Sequence, residues 1–390
     1  MSTTSEQFAH LVDRDRLVGR LVELVQTRSE NPPGEEAAAG ALVEGYCREL
    51  GVDVAVHESE PGRPNVIARM GNGRGPILTY CSHIDVVPVG NPALWERDPF
   101  SAHVADGVMH GRGSADAKGP CAAAIEAVAL LLESGVELNG TLELALVSDE
   151  EAMGFKGAGW LVAEGIVRPD IAIVGEPTSL RLVRAQRGAN WIRITTHGLA
   201  GHGSAPERGR NAIKYMSELV LQLEATVPDL SHEVLGGPSL NVGTISGGEK
   251  VNIIPAGCTI EVDRRSIPGE TPEDLLGQME EAIELAKQRF PELSATVELM
   301  FAGNPFEVDE DSEVVQKMSG AIEAVTGNPA ELIGFRGASD ARFMAEIGAQ
   351  TVVFGPGDIA TAHTAREHVR LDEVEACAAI YAGAFASLLS

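Results

Sequence analysis

Apolar positions recur at helical spacing over residues 15–27 and 36–50, the second run stopping at Gly51, while 65–70 and 76–80 read as short extended stretches. Helical periodicity returns at 119–133 and 157–164, separated by apolar runs at 141–147 and 170–174. Such alternation predicts a sheet covered by helices. From 188 to 301 the order becomes strand 191–196, helix 211–224, strands 239–245 and 258–265, helix 271–290 and strand 295–301. That βαββαβ succession predicts a ferredoxin-like unit. Thr271-Pro272-Glu273-Asp274 marks the start of its second helix, with Thr as cap, Pro at the first helical position and acids in the first turn. Helices at 312–325 and 340–346, a strand at 351–354 and a helix at 373–388 then resume the first pattern. The expected organisation is one larger α/β domain, 1–187 with 302–390, interrupted by a smaller one at 188–301.

Composition narrows the function. The chain has 390 residues, and 30 Lys and Arg against 57 Asp and Glu leave a formal charge of −27, which disfavours nucleic-acid binding because phosphate affinity needs clustered cations. The first residues are polar, and no run of about 18 apolar residues follows, so neither a cleaved leader nor a membrane span is expected. Cys47, Cys81, Cys121, Cys258 and Cys377 are odd in number and form no CxxC pair. That pattern argues against a disulfide framework and fits a cytoplasmic location.

Metal-capable residues concentrate in five short segments: Ser82-His83-Ile84-Asp85, Gly113-Ser114-Ala115-Asp116, Asp149-Glu150-Glu151, Gly175-Glu176-Pro177 and Ala362-His363-Thr364. Four of them follow a predicted strand, and strand ends of an open α/β sheet share one crevice. Mixed His and carboxylate ligation suits zinc, cobalt or manganese, and five side chains suit two ions better than one. Singly, each segment has a plainer explanation. His83 could be a satisfied core histidine, Asp116 a turn acid or helix cap, Glu150 and Glu151 a solvated strand end, Glu176 a loop acid and His363 a surface histidine. In an extended segment, however, His83 and Asp85 face one side, so Asp85 could orient the imidazole. Adjacent Glu150 and Glu151 could divide the tasks of base and ligand.

The segments SHIDVVP, GRGSADAKG, SDEE, GEPT and AHTAREHV, in this order, resemble the dinuclear-zinc amidohydrolase and peptidase family that contains acetylornithine deacetylase, succinyl-diaminopimelate desuccinylase, aminoacylase and glutamate carboxypeptidase. The resemblance spans nearly the whole chain. It implies a zinc-peptidase-like catalytic domain with a mixed sheet and an inserted lid and dimerisation domain. It implies that His83 and Glu176 hold one metal, Glu151 and His363 the other, and that Asp116 bridges them. Glu150 is then the base, with Asp85 behind His83. Ala117, where the family often has Met or Asp, and Ala365-Arg366, where it often has Pro-Asp, depart from the pattern and bear on the substrate.

Gly201-His202-Gly203, within a Gly-rich loop, is similar to the family's lid motif. The resemblance implies that His202 serves a neighbouring subunit's site by stabilising the oxyanion, in a homodimer joined through the lid. Taken bare, that histidine would be solvated. Asn252 and Arg265 also resemble family positions, and together they are the candidates for gripping a substrate carboxylate. The expected activity is hydrolysis of an N-acyl amino acid, with acetylornithine deacetylation ahead of desuccinylation, general aminoacylase action and carboxypeptidase action. A scaffold that binds metal without turnover is disfavoured by the retention of both Glu150 and Glu151, and a metallophosphatase by the charge.

Overall fold

Local side chains set where the helices begin. The Asp13 carboxylate accepts the Arg16 N–H at the start of helix Arg14–Gln26, which buries Leu17, Leu21, Leu24 and Val25 along one stripe. Thr271 caps Pro272–Lys287 through a capping box with Asp274, as the sequence predicts. The computed structural model describes residues 5–390. It divides into two compact units, one running to Arg184 and including Val308–Ile333 and Ser339–Ser390, the other made of Ala185–Glu307 and Gly334–Ala338.

In chain order the first unit contributes β1 (Asp53–Glu58), β2 (Pro64–Gly71), β3 (Ile77–His83), β4 (His103–Ala105), β5 (Val108–His110), β6 (Thr141–Val147) and β7 (Ile171–Val174). β8 (Leu182–Gln186) carries the chain onward. The second unit has β9 (Gly188–His197), β10 (Gly201–His202), β11 (Ser239–Gly247), β12 (Ile253–Ile254), β13 (Gly257–Ser266), β14 (Ser294–Gly303) and β15 (Phe306–Glu307). β16 (Leu332–Phe335), β17 (Gln350–Val353) and β18 (His368–Arg370) follow.

The first unit's main sheet is mixed, with order β1-β2-β6-β3-β7-β17-β8. β3 lies parallel to both β6 and β7, so the carboxyl ends of all three emerge on one edge. That alignment places the site. Helices Lys118–Ser134 and Leu371–Leu388 are buried along almost their whole length, which is why neither shows a polar face in sequence. Tyr80 of β3 meets Tyr381 of the second of these helices edge-on, ring centres 4.9 Å apart. All five cysteines are free and buried. Among the described residues no helix is long and apolar enough to cross a membrane.

The second unit has the antiparallel order β11-β13-β9-β14, the ferredoxin-like arrangement. Strand alternation sends Ile192, Ile194, Ile260 and Val262 into one core with Tyr215, Met216, Leu219, Leu275 and Met279 from helices Ala212–Leu223 and Pro272–Lys287. The same period of two separates two adjacent arginines on β13. Arg264 is fully buried and tied to Glu270 at 2.5 Å and to Gln278, whereas Arg265 is partly exposed and pairs with Asp263. Arg264 is therefore a structural cation.

Glu270→Ala should leave that guanidinium buried without its partner and cost about 3–5 kcal/mol. Chemical denaturation is the measurement; a loss below about 1 kcal/mol would show that Gln278 and solvent satisfy Arg264 unaided.

Candidate metal centre

The five segments come together because of the strand alignment. His83 is the last residue of β3, Glu150 and Glu151 follow β6 in a short 3-10 turn, and Glu176 stands two residues beyond β7. Gly175 is needed just before Glu176, since a Cβ there would lie 2.0 Å from the Tyr80 hydroxyl. Asp149 and Met153, with φ of 75° and 84°, bracket the Glu150–Ala152 turn. Glu150 and Glu151 thus sit in a tight turn, and the alternating faces of an extended strand end, expected from sequence, play no part.

Asp116 occupies the centre. Its Oδ1 is 3.1 Å from His83 Nε2, and its Oδ2 is 3.4 Å from His363 Nε2. His363 Nε2 also lies 3.0 Å from Glu151 Oε2, and His83 Nε2 lies 4.0 Å from Glu176 Oε2. One carboxylate therefore faces two imidazoles, each with its own second carboxylate. One ligand atom each from His83, Asp116 and Glu151 all fall within 4.8 Å of one another. Glu176 Oε1 is buried with no hydrogen-bond partner among the described residues. Buried acceptors left open beside histidine nitrogens are what a divalent cation satisfies, so the donor set fits the metals expected from sequence.

The electrostatics agree. Burial, then the nearby Glu176, pushes Glu150 well above the ordinary carboxylate range, and burial with Asp116 pushes Glu151 up. Asp116 goes the other way: burial raises it, but His363 and His83 outweigh that and hold it well below its usual value. Contacts with Asp116 and Glu151 raise His363 to about 10.

Several supporting residues have no motif of their own. His83 Nδ1 donates to the backbone carbonyl of Asp85 at 3.0 Å, while the Asp85 carboxylate is 3.5 Å away. That carboxylate has nearer partners: it accepts from the Glu150 and Glu151 N–H groups at 3.3 and 3.2 Å and from the Asn31 amide at 2.9 Å. Asp85 thus holds the Glu150 turn as well as the imidazole. Glu367 receives the N–H groups of Gly113, Ala115 and Asp116 and forms a buried ion pair with Arg112, anchoring the loop of the central aspartate. Asp340, also buried, has both carboxylate oxygens without hydrogen-bond partners among the described residues. Burial pushes it up to about 7. It lies against the turn after Glu150, where a Cβ on Gly154 would come within 2.2 Å of its Oδ1.

The remaining candidates lie in the second unit. His202 is exposed on the β10–β12 ribbon opposite Ile253, and the Gly203 N–H donates to the Asn252 carbonyl at 2.9 Å. Asn252 is therefore beside His202. The Ser204 N–H donates to His202 Nδ1 at 3.2 Å, with the Ser204 hydroxyl 2.7 Å away. An accepting Nδ1 puts the ring proton of the neutral histidine on Nε2. Arg265 has other company: burial and the guanidiniums of Arg336 and Arg265 lower Arg187, and Arg187 and Arg336 both flank Gly236. Sequence reasoning missed Arg187 and Arg336, which no local pattern links to Arg265.

A two-unit α/β fold with a histidine–carboxylate cluster at parallel strand ends, buried apart from the exposed His363, is that of a metal-dependent hydrolase. The chain belongs to the family described as peptidase family M20/M25/M40, which matches residues 80–387. It is 35% identical over 338 residues to the acetylornithine deacetylase of Photorhabdus laumondii, covering 84% of each chain. It is 30% identical over 379 residues to the succinyl-diaminopimelate desuccinylase of Hydrogenovibrio crunogenus, covering 94% of this chain and 97% of that one. In fold it is similar to aminopeptidase PepT from Bacillus cereus, with TM-score 0.79, 24% identity and coverage of 97% and 100%. It is also similar in fold to an M20 family metallo-carboxypeptidase from Sulfolobus solfataricus, with TM-score 0.77, 20% identity and coverage of 96% and 99%.

Asp116→Ala should deplete both metal positions together, because its two oxygens face different histidines and its loss leaves two cations repelling at short range. His363→Ala should chiefly empty one. Elemental analysis after dialysis checks this; wild-type metal content in Asp116→Ala would refute the bridge.

Proposed function

We propose that this chain hydrolyses the amide of N-acetylated amino acids, N-acetylornithine foremost, using two zinc ions, in the cytoplasm and as a homodimer. The observation that carries the chemistry is Asp116, with one oxygen toward His83 and the other toward His363. The named relatives support the acetyl substrate. Glu at 176 supports a deacylase, since the family's aminopeptidases and dipeptidases more often have Asp there.

His83 and Glu176 would hold one ion and Glu151 and His363 the other, with Asp116 between them. When bound, the ions supply Lewis acidity, lowering the pKa of water and polarising the acyl carbonyl. Glu150 takes the proton of the attacking water, and its raised basicity suits that task. The water oxygen bonds to the carbonyl carbon, the C–N bond breaks, and Glu150 returns the proton to the departing nitrogen. Arg265, with Arg187 and Arg336, provides positive charge for the substrate's α-carboxylate. His202, its proton on Nε2, donates to the oxyanion of a partner's site, with Asn252 alongside. Dimerisation through the lid is supported by β11, an edge strand whose Ile245 is exposed.

A panel of N-acetyl, N-succinyl, N-formyl and peptidyl amino acids, assayed for free amine with zinc and with cobalt, tests the substrate. N-acetylornithine should be turned over fastest; a preference for succinyl substrates would move the assignment to desuccinylation. Glu150→Gln should keep its metal and lose about 10²–10⁴ in kcat, and near-normal turnover would remove Glu150 as the base.

Subunit exchange tests the shared site. Glu150→Gln and His202→Ala should each be nearly inactive, yet recover toward about one quarter of wild-type activity when mixed, because each hybrid dimer contains one site with both residues intact. Exchange verified by mass spectrometry without recovery would confine His202 to its own chain.

A further inference from the structure

In the first unit, β4, β5 and β18 form a small antiparallel sheet in the order β18-β5-β4. Its register sets His368 directly opposite His110, and His110 directly opposite His103. Directly opposed residues share a face, so three imidazoles form a row. None of them belongs to the catalytic cluster. The row borders a cavity of about 380 Å³, also lined by Trp95, Glu96 and Asp98.

The row is not uniform. The His110 and His368 ring centres are 5.6 Å apart, those of His103 and His110 6.5 Å. Two imidazoles sharing one tetrahedral ion, with metal–nitrogen bonds of about 2.1 Å, bring their ring centres to about 5 Å. The first pair already stands near that separation, with the rings tilted by 33°. His368 Nδ1 lies 2.8 Å from the Arg366 carbonyl, which can only accept, so Nδ1 carries a proton and the Nε2 lone pair of the neutral ring stays available. A ring proton held by a backbone carbonyl is the usual support for a metal-binding histidine. Burial, with His368 and His103 as neighbours, lowers the basicity of His110 and favours its neutral, ligating form. Glu96 and Asp98 line the same cavity and offer oxygen donors.

We propose that His110 and His368 clamp a divalent transition-metal ion of the zinc type, separate from the catalytic pair, with a cavity carboxylate or water completing its coordination. With only two protein nitrogens the site is weaker than the catalytic one and fills last.

Zinc is the probe. Full-length enzyme titrated by equilibrium dialysis should take up about two ions tightly and about one more weakly. His110→Ala and His368→Ala should each abolish the weak uptake while keeping the tight ions and kcat/KM. On wild-type protein, zinc at the weak-site concentration should protect His110 and His368 from diethyl pyrocarbonate, read by peptide mass spectrometry, while exposed His10 is modified regardless. Unchanged weak uptake in both variants, or equal modification of His110 and His368 with and without zinc, would overturn the proposal. The tight ions are counted separately, so failure of the catalytic assignment registers in a different number.

Discussion

The constraint on which the rest depends is the crowding of negative charge at the carboxyl ends of the parallel strands of a mixed sheet. Asp116, Glu151 and Glu176 stand within reach of two histidines, with Glu150 and Asp340 close enough to perturb them. Like charges about 4 Å apart repel by about 4 kcal/mol at an effective dielectric of about 20. A protein keeps such a cluster only if something offsets it. Two cations would turn the repulsion into coordination, at a place where burial first, and the neighbouring carboxylates after it, push Glu151 and Glu176 up.

Three buried braces hold the geometry in place. Asp85 joins the end of β3 to the Glu150 turn and to Asn31; Glu367 with Arg112 anchors the Asp116 loop; and Arg63 ties Asp149, beside Glu150, to Glu36. The first two are carboxylates satisfied by several donors and the third is a guanidinium shared by two buried carboxylates, which makes each costly to move. The candidate ligands stand on strand ends and tight turns, and the braces bind those turns to the body of the unit. In the second unit, the same economy separates Arg264, locked in the core by Glu270, from Arg265, which is partly exposed and paired with Asp263.

The larger elements and all five candidate ligands were legible in sequence. Strand 141–147 matches β6 at both ends, the βαββαβ order survives in the second unit, and Thr271 caps its helix. What escaped notice was short or dispersed. β4, β5, β10, β12, β15 and β18 have two or three residues each, too few for alternation to register. Asp340 and Asn31 lie in no motif, and Glu367, though inside the AHTAREHV segment, carried no role of its own in the sequence reading. Asn252, expected with Arg265 at a substrate carboxylate, also lies beside His202 through its backbone bond to Gly203, a proximity no motif signalled. Such proximities come from tertiary packing, on which local spacing has no hold.

The central claim is that Asp116 bridges two ions held by His83 with Glu176 and by Glu151 with His363. Anomalous diffraction at the zinc edge from crystals of the zinc-loaded protein tests it most directly. Two anomalous peaks should flank Asp116, one within bonding distance of each histidine–glutamate pair. A single peak at saturating zinc, or two peaks of which Asp116 touches only one, would contradict it.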